Sequence, residues 1–313
     1  MTAAVAADVA QASDTSALVS RPDALRRRLA EDGYLFLPAL LPAEAIAGVH
    51  AEFAGTLRAA GWLDAGAGDR PGPEFGVDGG RVAAGEREVV RQLYRGEAFH
   101  ALGHHPSLRA LMEAVLDSED VLVHPRPGCR VVFPPSPSPL STPTPAHQDH
   151  LGMQGSIQTY TAWMPLAECG REMGPLAVAE GSHHGGLRPY RPQPGSRVAG
   201  CDQDELEGTW TSADFAPGDV LVFTSLTVHR ALVNRSASLR LSADCRFQRS
   251  TDPVCEVSLR EIGDLGFDDI YSAWQRDELK YYWRAMELSV VPFDPTLLRA
   301  APAPPAVRER ADI

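Results

Sequence analysis

Long apolar runs are missing from this 313-residue sequence: none approaches the roughly 18 residues that a membrane-spanning helix needs. Cysteine is scarce and poorly placed for bridging. The five thiols, Cys129, Cys169, Cys201, Cys245 and Cys255, are odd in number and widely spaced, with no C-x-x-C pair, which argues against a disulfide framework and against a zinc ribbon. Basic charge is also short, with 29 Lys and Arg against 41 Asp and Glu and a formal net charge of −12. That balance argues against a nucleic-acid partner, because displacing counterions from a phosphate backbone takes a concentrated basic surface. The run Arg26-Arg27-Arg28 is too short to supply one and reads as a solvated helix face. The first twenty residues carry Asp8 and Asp14 and lack the basic n-region of a secretory signal, so a soluble, cytoplasmic protein without membrane attachment is expected.

What is present is an ordinary globular composition, 44% hydrophobic, enough for one enzyme-sized domain. Residues 1–20 are small and unpatterned and read as a flexible leader; a single domain is expected over 21–296, and the Pro/Ala-rich 297–313 as a flexible tail. The first third, to about residue 117, is helical. A helix follows Pro22, a short strand covers Tyr34 to Leu37, a long helix enters through Pro42 and stops near Gly61, and a third helical region runs from about Glu86 through a break at His105-Pro106 to Leu116. The Gly-rich stretch 66–80 between them reads as a loop.

From about 118 to 250 the pattern changes to short β-like runs: DVLVHP, CRVVF, IQTYTAWMPL, PLAVAEGS, DVLVFTSLTVH and LRLSADCRFQ. Such spacing predicts a mainly β core of jelly-roll type with helices against one face. The Pro-rich stretch 133–147 and the stretch 186–213 are long enough to be cavity-covering loops. Residues 271–291 have helical spacing and an aromatic stripe (Tyr271, Trp274, Tyr281, Tyr282, Trp283), which predicts a C-terminal helical cover packed on the core.

The chemistry centres on His147-Gln148-Asp149. In an extended segment, residues i and i+2 share a side, so the imidazole and the carboxylate converge while Gln148 points away. A chain with ten His holds about one H-x-D triplet by chance, so the motif is weak alone. The similar His50-Ala51-Glu52 falls in a predicted helix, where a two-residue step of about 200° separates the side chains. His229, closing an apolar run, could equally be a satisfied core histidine. After a turn-like Asn234-Arg235-Ser236-Ala237, the alternation of Leu239 to Asp244 puts Arg240 and Ser242 on one face, and a hairpin would bring Arg240 near His229. An inward Arg240 needs an anion: a carboxylate ligand, or a structural partner such as Asp244 or Asp219. Taken together, two imidazoles and one carboxylate form the facial set that leaves positions on iron(II) open for a chelating cosubstrate and O₂.

The ordered pieces AHQDH, TAWMPL, GPLAVAEGSHHGGLRPY, APGDVLVF and His229 followed by Arg240 in RLSADCRF resemble the phytanoyl-CoA dioxygenase family of iron(II)/2-oxoglutarate oxygenases, over about Gly33 to Gln248. The resemblance implies a double-stranded β-helix with flanking helices and iron held by His147, Asp149 and His229. It further implies that Arg240 and Ser242 hold the 2-oxoglutarate C5 carboxylate and that Trp163 lines the cosubstrate site, with Arg130 as a further contact from the preceding strand. Asp149 stands where related halogenases carry a small residue, which disfavours halogenation.

The reaction so implied is hydroxylation of an unactivated C–H bond of a small-molecule metabolite, secondary metabolism included, with release of succinate and CO₂. Desaturation, epimerisation or cyclisation would use the same centre. A cupin-type iron enzyme without keto acid, and a non-catalytic binding protein on the same scaffold, are the competing readings. Substrate contacts are expected from Gln158, Tyr160, Trp210 and His150, the last pointing away from the metal towards the site entrance. His183 and His184 read as loop residues, and the oligomeric state is open.

Overall fold

Proline opens the first helices and left-handed residues close them. The computed structural model describes residues 9–64, 66, 79–136, 139–192, 200–201, 206, 210–260 and 265–299, with backbone alone at 79–84. Helix α1 (Pro22–Asp32) has Pro22 at its first position, where a missing N–H costs nothing, and ends at Gly33, whose φ of 80° lets its N–H reach the Leu29 carbonyl. Helix α2 (Ala43–Ala59) buries Ile46, Val49, Phe53 and Leu57, one stripe at three- and four-residue spacing.

The third helical region is broken twice, into α3 (Gly79–Leu93), α4 (Glu97–Ala101) and α5 (Pro106–Leu116). The break beyond the expected one at His105-Pro106 lies at Gly96, where Glu52 of α2 accepts the N–H groups of Ala98 and Phe99 at 2.9 and 3.2 Å. Glu52 is thus an anchor for α4, in keeping with the reading that His50-Ala51-Glu52 is no ligand pair. Of the Gly-rich stretch 66–80, residues 67–78 lie outside the described residues, and Gly79 and Gly80 already belong to α3.

The strands are β1 (Ala10–Gln11), β2 (Tyr34–Leu37), β3 (Val121–Val123), β4 (Gly128–Val132), β5 (Tyr160–Pro165), β6 (Leu176–Ala179), β7 (Trp210–Ser212), β8 (Val220–Thr224), β9 (His229–Ala231), β10 (Arg240–Arg249), β11 (Val254–Cys255) and β12 (Val290–Val291). A six-stranded antiparallel sheet runs β2-β8-β5-β10-β3, with β4 also on β10; a four-stranded sheet runs β1-β7-β6-β9; β11 and β12 pair in parallel. All six β-like runs of the sequence contain strands, and the result is a mixed α/β fold with several antiparallel sheets.

Strand alternation sorts the side chains into layers. Leu35, Leu37, Ala162, Met164, Val220, Val222, Leu241 and Ala243 face the helices, in one core with Leu25, Ile46 and Leu111. The opposite faces of the same strands, through Tyr34, Phe36, Trp163, Leu221 and Phe223, pack against Leu176 and Val178 of the smaller sheet. Beside this apolar seam the two sheets enclose a polar chamber.

In the stretch read as leader, residues 1–8 lie outside the described residues, while β1 pairs with β7 through backbone bonds and Thr15 Oγ1 donates to the Phe36 carbonyl at 2.8 Å. Two expectations are corrected. The run 219–229 is two strands in different sheets, so β9 and β10 form no hairpin; the chain crosses from one sheet to the other, braced by Asn234 Nδ2, which donates to the Val132 and Ser238 carbonyls. The C-terminal cover is no continuous helix but α8 (Phe267–Tyr271) and single turns at Asp277–Leu279 and Tyr282–Ala285, preceded by the short helix α7 (Glu256–Leu259); α6 (His150–Met153) lies earlier. A helix would turn the adjacent rings of Tyr281, Tyr282 and Trp283 about 100° apart. Tyr281, left-handed at φ 55°, instead lets Tyr281 and Trp283 both pack on Phe267 while Tyr282 Oη donates to the Val123 carbonyl. The aromatic stripe does pack as core, around Leu122 and Val254. Of the tail, residues 300–313 lie outside the described residues, and Pro295–Leu298 form a turn of 3-10 helix.

Gly33 is the tightest backbone position of the helix-to-sheet passage: a Cβ there would sit 2.5 Å from His183 Nδ1 and 2.8 Å from Thr227 Oγ1. Together with its positive φ, this predicts that Gly33→Ala lowers stability by roughly 1–3 kcal/mol, measurable by denaturant unfolding. An unchanged midpoint would show that the passage relaxes.

Candidate metal centre

His147 and His229 are brought together by backbone. Each donates its N–H to the other's carbonyl at 3.0 Å, a hydrogen-bonded pair of antiparallel type, and their rings lie 4.0 Å apart between centroids. The Nδ1 atoms are occupied, His147 donating to the Pro145 carbonyl at 2.8 Å and His229 to the Thr227 carbonyl at 3.0 Å. That fixes the tautomer and leaves each Nε2 as a lone pair. Burial, reinforced by the neighbouring His229, pushes His147 down to about 3, and burial also lowers His229, so both rings are neutral as metal ligation requires.

Asp149 completes the set by a different route from the one the sequence suggested. It is not extended: with φ −59° and ψ −31° it starts the single turn α6. Gln148 makes the turn possible by anchoring on the far side, donating to the Gly186 and Leu226 carbonyls and accepting from the Arg188 N–H. The Asp149 carboxylate then puts Oδ1 3.8 Å from His147 Nε2 and 3.7 Å from His229 Nε2. Its other oxygen, Oδ2, accepts from Thr161 Oγ1 at 2.6 Å and pairs with Arg246 Nε at 3.4 Å, an ion pair without hydrogen-bond alignment. Burial alone would raise the Asp149 carboxyl, but the Arg246 guanidinium, the two imidazoles and Thr161 outweigh it and hold the group well below the usual carboxylate range. Three donor atoms within 4.8 Å of one another, two neutral nitrogens and one anionic oxygen, could hold a divalent metal.

Arg240 lies across the chamber on β10. It is 2% exposed, and its Nε and Nη1 have no hydrogen-bond partner. The structural counter-ions that the sequence left open are engaged elsewhere: Asp219 accepts from the N–H groups of Ala39 and Ala216, and Asp244 sits 4.0 Å from Arg246 Nη2. Among the described residues no carboxylate lies within ion-pair reach of Arg240. Trp163 Nε1 and Ser242 Oγ, also buried, are unsatisfied as well. Buried polar groups without partners are rare, and three on neighbouring strands fit a carboxylate brought by a cosubstrate.

The walls of the chamber include the three donor residues, Trp163, Arg240 and Arg130. Ser242 shares the face of β10 that carries Arg240 and Asp244 and is not itself among the lining residues. A wider cleft shares His147, Asp149, Arg130 and Arg246 with the chamber.

The four residues expected at the substrate are not on either wall. Tyr160 is on the helix-facing side of β5, whereas Thr161 and Trp163 alternate to the chamber side. Gln158 accepts from Arg249 at the surface, and His150 is buried outside the chamber. Trp210 is on the outer face of the small sheet, under the Arg230 guanidinium at 3.9 Å. His183 and His184, in a turn of 3-10 helix (Ser182–Gly185) rather than a loop, bond the Ala30 and Glu31 carbonyls at the end of α1. Arg246 and Thr161, the partners of Asp149, escaped the sequence reading. The signal was there for Arg246, because the alternation that turns Arg240 inward continues through Asp244 to Arg246.

Neutral imidazoles, one carboxylate and a buried guanidinium awaiting an anion are what a non-haem iron, 2-oxoglutarate-dependent oxygenase requires, and this is the class of the enzyme. The family model described as phytanoyl-CoA dioxygenase (PhyH) matches residues 29–242, and the chain belongs to that family. Among curated relatives, the 1-deoxypentalenic acid 11-beta-hydroxylase of Streptomyces exfoliatus is 29% identical over 249 residues, covering 75% of this chain and 84% of the relative. The enzyme of the same name from Streptomyces arenae is 28% identical, with the same coverage. The epimerase SnoN in complex with Fe3+, alpha ketoglutarate and nogalamycin RO shares the fold at a TM-score of 0.53 and 22% identity, over 78% of this chain and 91% of that one. The carbocyclase SnoK from nogalamycin biosynthesis does so at 0.53 and 19%, over 80% and 95%. No helix among the described residues is long and apolar enough to cross a membrane.

Because Thr161 holds the second oxygen of Asp149, Thr161→Val should weaken iron(II) binding on the order of 10- to 100-fold in anaerobic titration with little change in fold. Unchanged affinity would mean that Arg246 alone orients the carboxylate.

Proposed function

We propose that this enzyme hydroxylates an unactivated C–H bond of a small-molecule secondary metabolite, using iron(II) held by His147, Asp149 and His229 and 2-oxoglutarate anchored through its C5 carboxylate by Arg240. The observation that carries the reading is the buried Arg240 guanidinium without a counter-ion. A cupin-type enzyme working without keto acid has no use for such a cation. Trp163 and Ser242, with their unsatisfied buried donors, join Arg240 around the cosubstrate, and Arg130 supplies a further positive wall. Two facing sheets with helices on one side support a double-stranded β-helix as the scaffold, in one oxygenase domain that includes the strand at Ala10–Gln11. The hydroxylation itself rests on the Streptomyces relatives, whose names state hydroxylation of 1-deoxypentalenic acid. Epimerisation and ring closure are the activities named for SnoN and SnoK, which are more distant from this chain.

When bound, the iron supplies, together with 2-oxoglutarate and O₂, the oxidising power for C–H cleavage, the keto acid leaving as succinate and CO₂. The chain's own part is positional and electrostatic. The Pro145 and Thr227 carbonyls hold the imidazole tautomers, while Thr161 and Arg246 occupy Asp149 Oδ2 and so present Oδ1 alone. Asp149 keeps its charge, so the centre retains a third protein donor and does not offer the vacant position that a halide would take. Phe223 and Trp163 wall the chamber against bulk water.

Arg240→Ala should raise the 2-oxoglutarate concentration needed for half-maximal succinate release by about 10- to 100-fold, the value of a charged hydrogen-bonded contact. With a substrate in hand, mass spectrometry should find one oxygen atom gained. Turnover that proceeds without keto acid defeats the reading, and a product of unchanged mass defeats hydroxylation in favour of epimerisation.

A further inference from the structure

The outer cleft has a charge imbalance that the metal chemistry does not use. Besides the metal donors, its walls carry Arg126, Arg130, Arg246, Tyr94 and Ser258. Arg246 is engaged with Asp149, and Arg130 faces both the chamber and the cleft. Arg126 belongs to the cleft alone. Its Nη1 donates to the Val257 carbonyl, and it has no ion-pair partner among the described residues. Burial lowers the Arg126 guanidinium below its ordinary value, with Tyr94 opposing the shift and the nearby Arg246 adding to it.

A second and independent feature lies next to it. Ser258 follows Val257 in α7, is 2% exposed and lines the same cleft, and its Oγ has no hydrogen-bond partner. The bond from Arg126 to Val257 therefore ties a guanidinium with free N–H donors to a neighbouring unsatisfied hydroxyl. Both are on the wall of the cleft that leads to the metal donors, and on the chamber side Arg240 already offers a separate place for the cosubstrate's anion.

We propose that Arg126 and Ser258 form an anion subsite that holds a carboxylate of the substrate, so that this oxygenase acts on a carboxylic acid whose oxidised carbon lies some way along the molecule from that group. The proposal rests on the reading of the adjoining centre as a 2-oxoglutarate oxygenase. A carboxylate suits the site because a planar guanidinium with one hydroxyl offers few-point recognition of a monoanion. A phosphate dianion would call for more donors than these two residues supply. Apart from Gln148, whose amide is taken up by backbone groups, the rest of the wall, Pro127, Gly128, Gly152, Met153 and Val257, suits an apolar body.

The test is calorimetric titration of the full-length protein, loaded anaerobically with iron(II) and saturating 2-oxoglutarate, with three matched probes: decanoate, methyl decanoate and decyl phosphate. Wild type should bind decanoate at least about tenfold more tightly than the ester. Arg126→Gln should abolish that preference while the visible iron–2-oxoglutarate absorption persists, and Ser258→Ala should reduce it by about threefold. Ester bound as well as acid in the wild type, a preference intact in Arg126→Gln, or phosphate bound more tightly than carboxylate each overturns the proposal. Should Arg126→Gln fail to fold, Arg126→Lys and Ser258→Ala decide it, a preference unchanged in both counting against. Absence of the absorption in wild type would defeat the oxygenase reading instead, and the acid-over-ester preference would still be readable on metal-free protein.

Discussion

Everything about the site turns on a cation buried without a counter-charge. Arg240 lies on β10, the strand of the larger sheet that touches β3, β4 and β5 at once, so its guanidinium cannot swing out to water without disturbing the sheet. A charge so placed is costly unless something negative arrives. The two acids that might have neutralised it are committed elsewhere, Asp219 to backbone N–H groups and Asp244 beside Arg246. The protein therefore carries a standing demand for an anion of defined position, which the proposed function assigns to the distal carboxylate of the keto acid.

The metal donors answer to the same geometry from the opposite sheet. Phe223 of β8 belongs to the larger sheet and His229 of β9 to the smaller, so a few residues of chain carry the backbone from one wall of the chamber to the other. His147 pairs with His229 there through two backbone bonds, and Asp149 follows by a turn whose direction Gln148 secures. Arg246, on the same face of β10 as Arg240, reaches Asp149 and links the anion-demanding strand to the metal side. The two cations on this face of the strand thus have separate duties, one orienting a protein carboxylate and the other left free for a ligand.

Much of this was legible in the sequence. The helical first third and the strands from residue 120 onwards follow from periodicity, the need of Arg240 for an anion from the expense of burying charge, and the pairing of His147 with Asp149 from their spacing, although Asp149 takes a turn rather than the extended form that spacing assumed. What misled was information that side-chain pattern does not carry. Ala10–Gln11 looks like leader because backbone bonds to β7, rather than apolar side chains, hold it. His229 and Arg240 look like a hairpin because the sequence does not say that their strands lie in different sheets. Tyr160 was one residue out of phase with the chamber face that Thr161 and Trp163 share, and Trp210 alternates to the outside of its sheet. Arg126 and Ser258 lie 132 positions apart and meet only through the Val257 carbonyl, a relation no local motif records.

In the proposed function Arg240 reads a carboxylate distant from the metal-chelating end of the cosubstrate. Pyruvate has the same chelating keto acid as 2-oxoglutarate but lacks that second carboxylate. Titrating the iron(II)-loaded protein with each under anaerobic conditions, and following the visible absorption, isolates the contact. Pyruvate should bind at least about tenfold more weakly, with the difference vanishing in Arg240→Met. Equal binding of the two keto acids to the wild type would contradict it.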